Sequence, residues 1–159
     1  MGFKVTKQIA IFGSSKVNSR DTLYTRTVKA AASLVEQDYT LATPGGETGI
    51  SRAVIEGADS VKPGSEIVVP LSIPGQNHGY IALPGGYGTL QKILTVIHLK
   101  QTYKLHRPII VVGPIWRDVL SSVSRTLARN SLITMRDMEL WEYAQTPEAA
   151  AVKMIEMIS

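Results

Sequence analysis

Short runs of consecutive apolar residues alternate along this chain with longer segments whose apolar residues recur every three or four positions. The runs fall at residues 8–12, 39–42, 66–69, 80–83 and 108–112. They are continuous rather than alternating, the pattern of strands buried on both faces. Between them lie segments of helical period. Leu23, Val28, Ala31, Ala32 and Val35 mark the first, and Ile50, Ala53, Val54 and Ala58 the second. Leu90, Ile93, Leu94, Ile97 and Leu99 mark a third, and Val119, Leu120, Val123 and Leu127 a fourth. Ala149, Val152, Ile155 and Ile158 mark the last. Strand alternating with helix predicts an α/β fold: one Rossmann-like domain over residues 1–159, with a parallel sheet of five to seven strands and helices on both faces. Crossovers are expected to be right-handed. No internal repeat, low-complexity tract or linker interrupts the pattern.

Composition narrows the function classes. The chain has 159 residues, 44% hydrophobic and 19% charged, which excludes intrinsic disorder. Its formal net charge of +4 suits an anionic ligand, and no Lys/Arg run of nucleic-acid type is present. With no cysteine there is no disulfide, thiolate metal site or Cys nucleophile. The three histidines, His78, His98 and His106, lack metal-ligand spacing. No apolar run approaches the roughly 18 residues of a membrane span. The start of the chain leads straight into a strand without a signal-type apolar region. The expectation is a soluble, cytoplasmic protein without metal or tightly bound organic cofactor, acting on neither nucleic acid nor membrane.

Glycine-bearing turns fall at the carboxyl ends of four predicted strands: Gly13-Ser14-Ser15, Pro44-Gly45-Gly46, Pro84-Gly85-Gly86 and Gly113-Pro114. Open α/β sheets bind ligands at that edge. Each turn on its own is explained by tight strand-to-helix geometry; the set, with one turn so rich in glycine, points to a phosphate site. That turn is Leu83-Pro84-Gly85-Gly86-Tyr87-Gly88-Thr89-Leu90. Gly85, Gly86 and Gly88 let backbone amides approach an anion, the following helix start adds unpaired donors and partial positive charge, and the Thr89 hydroxyl adds one donor. It is neither a Walker loop nor the dinucleotide Gly-x-Gly-x-x-Gly. Residues 44–50 repeat the logic. Gly45 and Gly46 form a turn, and Gly49 in the first helical turn signals close approach by a ligand or a neighbouring backbone. Ser14 and Ser15 offer hydroxyls and amides at the same edge, or cap a loop.

The stretch Pro84-Gly85-Gly86-Tyr87-Gly88-Thr89 resembles the Pro-Gly-Gly-x-Gly-Thr-x-x-Glu signature of the Lonely Guy family, cytokinin riboside 5′-monophosphate phosphoribohydrolases often labelled "possible lysine decarboxylase". Gly13-Ser14-Ser15 with Tyr24, the turn Gly45-Gly46-Glu47-Thr48-Gly49-Ile50, Gln101 and Arg107-Pro108-Ile109-Ile110 extend the similarity over most of the chain. The resemblance implies a nucleoside 5′-monophosphate (AMP-like) ligand. It also implies hydrolysis to free base and ribose 5-phosphate, and a homodimer built on the helix over residues 90–103, whose apolar girth burial within one subunit explains equally. Molybdenum-cofactor carriers and nucleotide sensors share the scaffold.

Two family residues carry that hydrolysis, the signature Glu and an Arg in an Arg-Lys segment before the fourth strand. Here Lys92 stands at the Glu position, and residues 71–79 contain no Arg or Lys. Hydrolysis through an oxocarbenium-like transition state needs negative charge near the ribose and a base for water. Lys92 reverses that sign. It can instead reach a phosphate, or sit on a solvated helix face. Glu47 is the one candidate for a replacement base, against the commoner role of an exposed helix-start Glu. The connection over residues 71–79 is also short, since parallel neighbours need a crossover of about a dozen residues. Either the crossover helix is lost or a loop is missing. His78, in that connection, is a candidate acid–base group or an exposed loop histidine. Two functions follow: a phosphoribohydrolase, or a non-catalytic nucleotide or molybdenum-cofactor carrier or sensor, which Lys92 favours. Single-stranded DNA binding, a third, lacks an aromatic stacking row.

Overall fold

The computed structural model describes residues 6–68, 77–103 and 106–159. Among these residues, six strands form one sheet: β1 (Gln8–Phe12), β2 (Thr40–Thr43), β3 (Glu66–Val68), β4 (Gly79–Ala82), β5 (Ile109–Val112) and β6 (Glu142–Ala144). Their order is β3-β2-β1-β4-β5-β6, and every pairing is parallel. Five α-helices among the described residues accompany them: α1 (Thr22–Glu36), α2 (Gly49–Val61), α3 (Tyr87–Tyr103), α4 (Pro114–Arg129) and α5 (Pro147–Ile158).

The strand runs are apolar throughout because successive residues feed two cores. Ile9 and Ile11 face α1, α2 and α5, where Leu34, Ile50, Val54 and Met154 complete one cluster. Ala10 and Phe12 face α3 and α4, where Ile93, Val96, Trp116 and Leu120 complete the other. Each fully buried Ile or Leu contributes about 1.5–3 kcal/mol. A helix cap contributes about 1 kcal/mol. Of the helices whose N-caps are described, only α5 has a side-chain N-cap, the Thr146 hydroxyl accepting from the Ala149 amide at 3.2 Å. Packing on the sheet, not capping, therefore holds the helices.

The strand order corrects one expectation. Strands three and four are not neighbours: β2 and β1 lie between them, and β4 pairs with the second edge of β1. Most of the connection that leads into β4, including residues 71–76, lies outside the described residues. What docks β4 on β1 is visible. The His78 amide donates to the Gln8 carbonyl at 2.7 Å, the Gln8 amide donates to His78 Nδ1 at 3.0 Å, and Gln8 Nε2 donates to Asn77 Oδ1 at 2.8 Å.

His78 is thus a half-buried clasp at the amino end of β4, on the opposite sheet edge from the glycine turns, and not an exposed loop residue beside them. Burial, and then the charges of Arg107 and Lys7, push its pKa below the usual value. A ring that accepts a hydrogen bond at Nδ1 resists protonation, whereas the unfolded chain takes up the proton near pH 6.5. Stability is therefore full above that pH and declines as pH falls below it. Thermal unfolding of the wild type should show a lower Tm at pH 5.5 than at pH 7.5, with a flatter dependence in His78→Gln. Equal slopes in the two proteins would show that His78 does not couple to folding.

Candidate functional site

The sheet changes direction at β1: successive strands run outward to β2 and β3 on one side and to β4, β5 and β6 on the other. Crevices at such a switch point are where open α/β sheets take ligands. A cavity of about 470 Å³ opens there, walled by the turns after β1, β2 and β4. Gly13, Ser14, Ser15 and Lys16 come from the first turn, Pro44, Gly45, Gly46 and Thr48 from the second, and Gly86, Tyr87, Gly88 and Thr89 from the third. Ser51 on α2 and Lys92 on α3 complete the wall.

Of the glycines expected to meet a ligand, Gly45, Gly46, Gly86 and Gly88 line this cavity, and Gly49 and Gly85 do not. These last two bring the turns together. Gly49 has φ +63°, and a Cβ there would collide with the Ser14 carbonyl and the Ser15 backbone. The close approach that its position signals is thus to a neighbouring backbone. A Cβ on Gly85 would collide with the Thr89 hydroxyl and lie 2.9 Å from the Ser14 amide nitrogen. Ser14 is the clamp between all three turns. Its amide donates to Pro84 O at 2.9 Å, its carbonyl accepts from the Ile50 amide at 2.9 Å, and its hydroxyl accepts from the Lys16 amide at 3.0 Å. The Ser14 amide is therefore spent within the protein. Below the third turn, the buried Trp116 donates from Nε1 to Leu83 O at 2.8 Å.

The electrostatics of the cavity have one sign. Both α2 and α3 begin at its wall, and neither carries an acidic residue in its first turn. The first amides of a helix have no intrahelical acceptor and carry partial positive charge. Among the described residues, the amides of Gly45, Gly46, Gly86 and Gly88 donate to no protein acceptor. Lys16 and Lys92 add two full charges, and no carboxylate among the described residues lines the cavity. Lys92 Nζ lies 3.4 Å from the Gly88 carbonyl, one turn into α3. Glu47 lies outside this wall, in an adjoining groove with Tyr24, Arg52 and Glu56. Thr89 is buried at the first turn of α3. The arrangement can hold an anion; the carboxylates nearest in the described lining, Glu47 and Glu56, belong to the adjoining groove and not to this wall. No group of three or more metal-ligating side chains exists among the described residues, and no described helix is long and apolar enough to cross a membrane.

Lys16, Thr48 and Ser51 join the wall without belonging to the glycine pattern that marks the turns. Lys16 had a readable signal: it is the cation that directly follows Gly13-Ser14-Ser15.

The sequence pattern of the family described as "Possible lysine decarboxylase" matches residues 73–154, over half of the chain. The protein belongs to that family, the one that includes the Lonely Guy proteins. No curated protein matches the sequence. Among solved structures, the molybdenum cofactor carrier protein of Chlamydomonas reinhardtii superposes with a TM-score of 0.70 at 12% identity, covering 96% of this chain and 98% of that one. The molybdenum cofactor binding protein of the phototrophic bacterium Rippkaea orientalis gives a TM-score of 0.69 at 15% identity, covering 99% and 100%. At such identities the likeness is one of fold.

Proposed function

We propose that this family member binds a phosphate-bearing small molecule and does not hydrolyse an N-glycosidic bond. Two ligands fit the reading: a nucleoside 5′-monophosphate such as AMP, and the molybdenum cofactor, a phosphorylated pterin. Both join a phosphate monoester to a flat polar heterocycle. The carrying observation is the wall of the switch-point cavity, which presents Lys16, Lys92 and free amides but no carboxylate. The phosphate would sit between the starts of α2 and α3, over Gly45, Gly46, Gly86 and Gly88, with the hydroxyls of Ser15 and Thr89 beside it. Each charge-assisted hydrogen bond of that kind contributes about 1.5–3 kcal/mol.

Charge arithmetic argues against the family's hydrolysis. Two unit charges about 6 Å apart interact by about 3 kcal/mol at an effective dielectric constant near 20. Exchanging a carboxylate for an ammonium beside a developing oxocarbenium therefore shifts the barrier by about 6 kcal/mol, or about four orders of magnitude in rate. Family membership alone supports the second reading, an active phosphoribohydrolase. A homodimer over α3 also fits, since Tyr87 and Leu94 on that helix are exposed.

Incubation with AMP and an N6-substituted AMP, followed by chromatography for free base, separates the readings. The expected outcome is saturable binding without base release. Robust release by the wild type would overturn the non-hydrolytic reading.

A further inference from the structure

We propose that Glu56, in the groove that adjoins the cavity, recognises a ligand ring carrying two adjacent N–H donors, the edge that guanine and pterin rings present. The inference rests on the phosphate-binding reading and adds the chemistry of the ligand's other end.

The groove measures about 530 Å³ and shares Ser15, Lys16 and Thr48 with the cavity, so these residues form a rim common to both. A small ligand held by its phosphate at the glycine turns would cross that rim to reach Tyr24, Arg52 and Glu56. Tyr24 is a buried post there, and its hydroxyl donates to Glu56 Oε2 at 2.6 Å. Burial, and then the Glu56 carboxylate, push the phenol pKa up, so Tyr24 stays a donor at neutral pH. The carboxylate is thereby fixed in place but not consumed. Each oxygen accepts about two hydrogen bonds, so Oε2 keeps one site and Oε1 keeps both. Glu56 is exposed, and no ion pair among the described residues occupies it.

A carboxylate so oriented matches a fork of two parallel N–H groups, as it does an arginine. Guanine supplies that fork from its ring N–H and exocyclic amine. Hypoxanthine supplies one N–H. Adenine sets a ring acceptor beside its amine, which a carboxylate repels. Glu47 lies in the same groove with no hydrogen bond to fix its direction among the described residues.

Calorimetric titration with GMP, IMP, AMP and inorganic phosphate tests this. The wild type should bind GMP about tenfold or more tighter than AMP, the range of one good two-point contact, with IMP between. Glu56→Ala should erase the preference while leaving phosphate affinity within about twofold, and Tyr24→Phe should weaken the preference, whereas Glu47→Gln should keep it. Equal affinity of the wild type for GMP and AMP, or an equal loss for all ligands in Glu56→Ala, would overturn the inference while phosphate binding stands. Absence of any phosphate or nucleotide binding would instead remove the phosphate reading, and this inference with it.

Discussion

Gly49→Ala is expected to destabilise the protein by about 3 kcal/mol or more, combining left-handed backbone strain of about 1–2 kcal/mol with a steric clash. The clash cannot relax cheaply. The added Cβ meets the Ser14 carbonyl and the Ser15 backbone, and Ser14 is tied to both Pro84 and Ile50. Moving it away disrupts two hydrogen bonds, each contributing about 0.5–1.5 kcal/mol. A loss of that size lowers Tm by about 6–12 °C in a chain of this length. Gly86→Ala is the control. A Cβ there meets nothing within 4 Å, and Gly86 is not among the positive-φ glycines. Thermal or urea unfolding reads both. A Gly49→Ala variant as stable as the wild type would refute the packing account of the three turns.

The second large effect is on binding. Lys92→Glu should weaken binding of inorganic phosphate or AMP about a hundredfold or more, because it removes a charge-assisted contact of about 1.5–3 kcal/mol and adds repulsion. Lys92→Gln should lose about tenfold, the contact without the repulsion. Added salt should narrow the difference between the two variants, since screening acts on exposed charge. Less than about twofold change in Lys92→Glu would place the anion away from α3.

Most of the fold was legible because its strands are buried on both faces and its helices on one. Five strands and five helices appear where the apolar periods put them, within a residue or two at most boundaries. The sixth strand, Glu142–Ala144, escaped because only Ala144 of its three residues is buried, too few to show a period. The sheet order was not legible either. Nothing in the sequence of β1 says which strand takes which of its two edges, and the choice of β4 rests on hydrogen bonds between Gln8, Asn77 and His78.

At the site, the glycine turns stood out in the sequence, but the separate duties of their glycines did not. Gly49 and Gly46 look alike as letters. One presses on the Ser14 backbone, and the other opens onto the cavity. That distinction depends on which loops meet, which is a property of the tertiary fold. The amide of Ser14 shows the same limit: it looked available in sequence and is taken by Pro84. Lys92, by contrast, was informative as a letter, because its charge opposes the chemistry that the family signature serves.

The most direct test of the central claim is a two-dimensional amide NMR titration of the whole protein with inorganic phosphate and then AMP. The account predicts saturable shifts concentrated at Gly45, Gly46, Gly86 and Gly88, attenuated in Lys92→Glu. Shifts that leave those four amides unmoved, or that cluster at the opposite sheet edge near Lys7 and Lys62, would contradict it.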